Sequence, residues 1–398
     1  MRDVIVVGGG ILGLATAYRL LEQRPDLDVA VVEKEREVGG HQSSRNSGVL
    51  HAGIYYPPGS LKARLCVAGK REMESFAQEH GIAVTRHGKV VVAVEGAELP
   101  RLAVLEERAR ANGVPGVRRL SVGELAEIEP HVRGLAALHS PGTATVDFGA
   151  VCRALVGEVR ARGGEVLTLV DVQGLRERPD DVVVRTTIGT LTTGRLIACA
   201  GLQSDRVARL SGIDDREAIV PFRGSYLRLV GRAAGLVRGH LYPVPQPGLP
   251  FLGVHVTQRH DGEVWVGPNA VVALARERYH RWAVDRRDTR DVVRHPGFWH
   301  LAATHLRTGV EEVYRDLSIA ATARELRRYV PGVSAADLER GPSGIRAQSV
   351  RANGELVDDF SWSVTPRVLH VRNAPSPGAT ASLAIGRVIA ERALEGLA

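Results

Sequence analysis

The chain has 398 residues, 44% hydrophobic and 24% charged, with no low-complexity tract; that is material for roughly two to three cores, and it excludes a disordered tail or a fibre. Its formal charge of +7 rests on 52 basic residues, of which only four are lysines. No stripe of basic residues interleaved with aromatics accompanies the excess, so nucleic acid is not an expected partner, while a small anionic substrate is compatible with it.

The first segment, Met1 to Leu21, begins with Arg2 ahead of an apolar run, as a secretory signal does, but its glycines argue against that reading. No apolar run reaches the length of about 18 residues that a spanning helix needs, so the expected location is cytoplasmic, with any membrane association peripheral. Cys66, Cys152 and Cys199 lie in apolar surroundings without CxxC spacing, which predicts buried thiols rather than a disulfide frame or a metal site.

Val4 to Val7 is a short β-branched run that predicts a buried parallel strand, and it leads into Gly8-Gly9-Gly10-Ile11-Leu12-Gly13. Leu14, Ala17, Tyr18 and Leu21 then follow at helical spacing up to Glu22, and Val29 to Val32 predicts a second strand that ends on Glu33. Each part has a task in holding a dinucleotide. Gly8 permits the tight turn, Gly10 lets backbone approach a pyrophosphate, and Gly13 lets helix and strand pack closely. The helix N-terminus faces the phosphates, and Glu33 accepts hydrogen bonds from the adenosine ribose.

Two later segments favour FAD over NAD. Leu196 to Asp205 is an apolar strand that breaks at a small-residue turn, Ala200-Gly201. Val368 to Val371 predicts a strand, followed by Asn373-Ala374-Pro375-Ser376-Pro377-Gly378-Ala379-Thr380 and a helix from Ala381 to Leu394. That helix N-terminus is placed to face the flavin pyrimidine ring and to stabilise the negative charge of reduced flavin.

The run Gly39-Gly40-His41-Gln42-Ser43-Ser44-Arg45-Asn46-Ser47-Gly48-Val49-Leu50-His51-Ala52-Gly53-Ile54-Tyr55-Tyr56 resembles the D-amino-acid-oxidase-like flavoenzymes, and within them the L-2-hydroxyglutarate oxidase/dehydrogenase branch. The likeness recurs at Pro221 to Gly224, Leu241 to Pro245, Phe251 to His255, Gly267 to Ala270, Gly344 to Gln348 and Asn373 to Gly386. It implies an α/β fold, in which a Rossmann-type FAD-binding domain is interleaved with an α+β substrate domain built on a mixed, largely antiparallel sheet. On this reading, residues 1–88, 146–218 and 341–398 form the FAD-binding domain, and residues 89–145 and 219–340 form the substrate domain. Beyond Gly8, Gly10, Gly13 and Glu33, the resemblance implies cofactor contacts at Lys34, Ser44, Asn46, Ser47, Val172, Ala200, Gly201, Gly378 and Thr380. Ser225 and Gln246 depart from the branch, which has an acidic residue after Arg-Gly and an Asp after Pro-Val-Pro. Both segments are expected near the pocket, so the substrate need not be 2-hydroxyglutarate itself.

The implied reaction is oxidation of a 2-hydroxy acid to a 2-oxo acid, with oxidation of an amine or amino acid as the alternative on the same scaffold. It needs a base and an anion clamp. Histidine suits the base because its ordinary pKa lies near neutrality, which makes His51 the first choice and His255 the second. Arg346 is the expected carboxylate clamp, because a guanidinium fork matches a carboxylate. Arg223 and Lys62 are candidates for a distal carboxylate, and Tyr56 and Tyr242 for hydroxyl donors. His41 stands where some flavoenzymes carry a covalent flavin tether. No metal-site spacing occurs, and Asp358-Asp359 reads as a turn. Reoxidation by oxygen or a quinone is left open. The basic stretch from Arg276 to Arg307, with Trp282, Phe298 and Trp299, allows contact with an anionic membrane, but a solvated helical face with its aromatics in the core is the favoured reading.

Overall fold

The computed structural model describes residues 1–213, 217–246 and 253–395. Val4 to Val7 and Val29 to Val32 are buried on both faces, as their uninterrupted apolar character predicts for parallel strands covered by helices. They pair in parallel with each other, and Arg2–Val7 pairs on its other side with Gly189–Ala198. Glu165–Leu167 extends the sheet beyond Val29–Val32, and Val368–Asn373 joins Gly189–Ala198, again in parallel. An antiparallel meander of Val172–Glu177 and Val182–Thr186, and the strand Ser361–Val364, complete eight strands.

Helices Ile11–Gln23, Leu61–Glu79, Phe148–Ala161 and Ser382–Leu394 cover one face, and their apolar residues merge into one core with Val4, Val6, Val29 and Val31. Contact between the first and last of these helices is close enough that a Cβ on Gly386 would lie 2.8 Å from the Ala15 carbonyl carbon.

A second sheet of nine strands stands apart from the first. Its order runs Val271–Val272, Ala218–Leu229, Val264–Val266, Val256–Gln258, His240–Pro243, Lys89–Ala93, Ala136–Ser140 and Arg118–Leu120, with Leu338–Val350 paired along Ala218–Leu229. All its pairings are antiparallel except His240–Pro243 against Lys89–Ala93. A small sheet of Val49–Leu50, Ala144–Val146 and Val84–Arg86 lies between the chain passages that link the two. The mixed, largely antiparallel second sheet beside a parallel one is the architecture that the resemblance implied.

The three cysteines are buried thiols. Helices Arg286–Arg294, Pro296–Thr304 and Leu306–Leu317 follow one another outside the sheets. Phe298 packs on a core cluster, but Trp282 is 70% exposed and Trp299 58% exposed, which overturns the expectation that these aromatics sit in the core. Among the described residues, no helix is long and apolar enough to cross a membrane.

Candidate active site

The glycine turn has the form a pyrophosphate cradle needs. Gly8 has φ +106°, a conformation that side chains disfavour, and a Cβ on Gly13 would meet the Gly8 carbonyl oxygen at 1.9 Å. At Gly10 the nearest atom to such a Cβ is the Ser43 hydroxyl at 3.4 Å, so space stays open over the helix start. Gly10 caps the helix without a side-chain acceptor of its own. Ser43, which the sequence reading passed over in favour of Ser44, accepts the Ile11 N–H at 2.9 Å.

Glu33 ends its strand buried and accepts the N–H groups of Gly9 (2.7 Å) and Glu35 (2.9 Å), which fixes its carboxylate at the mouth of the turn. Val172 and Ala200 pack on the core cluster that contains Val7 and Ala198, and Gly201 opens a short 3-10 helix after the strand.

Several residues expected to contact the cofactor also bond to other protein groups. Asn46 donates to the carbonyls of Gln42 and Ser43 and accepts the Gly48 N–H, and Ser44 donates to Gly39 O at 2.7 Å. Ser47, half-buried, offers its hydroxyl to Tyr226. Lys34 bridges Glu35 and Glu277 at 2.7 Å each. His41 stands beside the same carboxylates, with Nδ1 2.6 Å from the Tyr279 hydroxyl and Nε2 3.1 Å from Glu35. Glu35, His41 and Glu277 have metal-ligand spacing, and the Lys34 ammonium is already paired with both carboxylates.

The His51 loop is clamped from two sides. Thr380, in the segment after Gly378, accepts the His51 N–H at 3.1 Å and donates to Val49 O at 3.2 Å. The Cys66 thiol donates to His51 O at 3.2 Å. With the backbone fixed in this way, the His51 Nδ1 is buried with no hydrogen-bond partner. Burial, followed by the Lys89 ammonium and by competition with His255 for a proton, pushes its pKa down to about 3, so the ring is uncharged.

His255 stacks on Tyr242 with ring centres 4.1 Å apart, and its Nδ1 lies 2.9 Å from Gly253 O. A carbonyl only accepts, so the proton sits on Nδ1 and the lone pair on Nε2. Burial brings this ring to about 3 as well, against the opposing pull of the Gly253 carbonyl and with further lowering by Lys89 and Arg346. Arg346, on the long strand Leu338–Val350, is half-buried and donates to Asn269 O at 3.4 Å.

His51, His255, Arg346 and Tyr242 thus form a set linked by their electrostatics, with Tyr56 a half-buried phenol on the His51 loop. The structure does not bring Arg223 and Lys62 to them as open cations. Arg223 and Asp316 form a buried ion pair at 2.8 Å that also takes in Ser225, and Lys62 donates to the exposed Asp358 at 2.8 Å. Asp359 accepts the N–H of the next residue, as a turn does. Gln246 is exposed, next to residues 247–252, which carry Phe251 and Leu252 and lie outside the described residues. Lys89, which sequence reasoning missed, lies behind the two histidines.

The FAD dependent oxidoreductase family profile matches residues 3–392. This chain belongs to that family. FAD is therefore its cofactor, and the open cradle over Gly10 and the helix N-terminus fit it. This FAD-dependent oxidoreductase is 44% identical over 402 residues to the mitochondrial L-2-hydroxyglutarate dehydrogenase of Caenorhabditis elegans, an alignment covering 98% of this chain and 93% of that protein. It is 42% identical to the human mitochondrial L-2-hydroxyglutarate dehydrogenase, covering 98% and 88%. Its fold superposes on FAD-bound L-alpha-glycerophosphate oxidase from Mycoplasma pneumoniae with a TM-score of 0.80 at 24% identity, over 99% of this chain and 94% of the other.

Proposed function

We propose that this oxidoreductase converts a small 2-hydroxy acid, with L-2-hydroxyglutarate as the leading substrate, to the 2-oxo acid. The observation that carries the reading is the pair of uncharged imidazoles, half-buried His51 and buried His255, gathered with Tyr242 and the half-buried guanidinium of Arg346. The substrate name comes from relatives at 40–45% identity, which are L-2-hydroxyglutarate dehydrogenases.

When bound, FAD supplies the acceptor for the hydride that leaves the α-carbon. The protein's part is to hold the acid and to take the hydroxyl proton. Arg346 receives the α-carboxylate in charge-assisted hydrogen bonds and fixes which face of the α-carbon is presented. His51, deprotonated at neutral pH, accepts the proton as the carbonyl forms, and its charge is then offset by the substrate's carboxylates. A specific observation favours His255 as a second reading for the base: its tautomer is already set with the lone pair on Nε2. Tyr56 and Tyr242 donate hydroxyl hydrogen bonds to the oxygens of the acid.

The proposed electron acceptor is a quinone reached from a membrane surface, with oxygen as the other reading. Leu306, Val310, Val313, Tyr314 and Leu317 form an exposed stripe along one helix, beside the exposed Trp282 and Trp299. Arg286, Arg287, Arg290 and Arg294 are exposed on a neighbouring helix. Aromatic and aliphatic side chains beside cations suit an anionic bilayer interface.

The test is anaerobic bleaching of the flavin by a panel of L- and D-2-hydroxyglutarate, lactate, glutamate and glycine. Rapid bleaching by L-2-hydroxyglutarate is the expected result. Bleaching by the amino acids with none by the hydroxy acids would overturn the reading.

A further inference from the structure

Lys89 opens the strand Lys89–Ala93, near the middle of the second sheet, and is 2% exposed. Its strand neighbours in register are His240 and Ser140. The ammonium sits 4.1 Å from the ring centre of Tyr242 and 5.2 Å from that of Tyr55. Among the described residues no carboxylate lies within ion-pair distance of it. A buried cation without an anion is costly, and aromatic faces offset only part of that cost.

The groups that face it come from every element around it: His51 and Tyr55 from the loop after Val49–Leu50, Cys66 from helix Leu61–Glu79, His240 and Tyr242 from one neighbouring strand, and His255 from the segment before Val256–Gln258. None is an acid that is charged at neutral pH. His240 is fully buried, and neither ring nitrogen has a partner. Tyr242 links the arrangement to the site, because the ring that carries Lys89 also carries the His255 imidazole.

The residue type matters too. The chain uses arginine almost throughout, and Lys89 is one of only four lysines. Arginine keeps its proton when buried, whereas lysine gives it up. Burial brings Lys89 down to about 7.

We propose that Lys89 is a positioning residue for the oxidation: its ammonium, seated on Tyr242 and Tyr55, repels a proton from His51 and His255 and keeps the proposed base ready. The inference rests on the histidine base of the preceding section. Lys89 acts through the imidazoles, across the Tyr242 ring that it shares with His255. Because the lysine titrates above the histidines, it is charged throughout the range in which they would otherwise gain a proton. Losing that charge raises their pKa values, and the effect disappears once the wild-type lysine is itself neutral.

The experiment compares wild type, Lys89→Met and Lys89→Arg as holoenzymes, following anaerobic flavin reduction by the hydroxy acid from about pH 3 to about pH 9, a range that spans the acid limb set by the histidines. Lys89→Met is expected to move the acid limb of the rate profile up by about one unit, while converging with wild type on the alkaline side. Lys89→Arg is expected to restore the acid side. Slowing by one factor at every pH, or no change at any pH, overturns the proposal.

A second readout needs no variant. In lysine-labelled wild-type holoenzyme, four ε-amines are observed by NMR, and one is expected to titrate well below the other three; four that titrate together overturn the proposal. His51→Gln and His255→Gln run alongside. If neither slows the reaction, the histidine-base reading falls. The imidazole titrations of Lys89→Met against wild type then still decide whether the lysine holds those rings uncharged.

Discussion

The Arg346 and Arg223 side chains start from adjacent strands, in register one residue apart, yet their surroundings differ. Asp316 is shared by Arg223 and Arg281 at 2.8 and 2.9 Å, so a substrate carboxylate at Arg223 would have to compete with an ion-pair network already in place. Arg346 stands half-buried, and its charge acts on His255. Arg346→Met is therefore expected to weaken substrate binding by about 2 kcal/mol, roughly thirty-fold in KM, with the flavin content unchanged. Steady-state kinetics on the holoenzyme check this, and a KM within twofold of wild type would assign the carboxylate to another residue.

The histidines also set a pH dependence of stability. Both rings are held near 3 when folded, against 6.5 in the unfolded chain, so between those values the unfolded state binds more protons and stability rises with pH. Melting temperature is expected to fall as pH drops from about 6.5 towards 4, and His51→Gln is expected to flatten that slope. At this scale, residue type was legible in the sequence and surroundings were not. His51, His255 and Arg346 stood out because their chemistry matches the reaction. No local pattern revealed that Asp316, far along the chain, closes on Arg223. Lys89 was visible as a lone cation at the head of a valine run, but a lysine at the start of a strand is usually solvated.

Element by element, the periodicity of the sequence predicted more. The strand, glycine turn, helix and second strand at the N-terminus follow from patterns inside thirty-three residues, and such local patterns need no knowledge of distant chain. The helix Leu306–Leu317 shows the limit. Its apolar stripe is plain in sequence, but a helical stripe specifies only that one face seeks an apolar neighbour, and here that face points outward. Trp282→Ser combined with Trp299→Ser is expected to lower sedimentation with anionic vesicles several-fold while leaving bleaching by the hydroxy acid intact. Equal sedimentation of variant and wild type would remove the membrane reading. At the opposite end of the chain, Gly386→Val is expected to cost about 2 kcal/mol or more, because its Cβ would press on the Ala15 backbone. Thermal melting and flavin content measure that loss together.

For the whole molecule, the parallel sheet draws its strands from the start, the middle and the end of the chain. Val368–Asn373 pairs with Gly189–Ala198, Ser382–Leu394 packs on Ile11–Gln23, and Arg19 donates to Leu383 O. Thr380 then ties the far end to the His51 loop. A nascent chain that has not yet exposed residues 368–394 lacks these partners, so flavin capture is expected to wait until that segment has left the ribosome. A version ending at residue 367 is expected to emerge colourless, however well its earlier strands pair. The strand Val368–Asn373 and the helix Ser382–Leu394 thus make the prosthetic group a checkpoint on translation through residue 394.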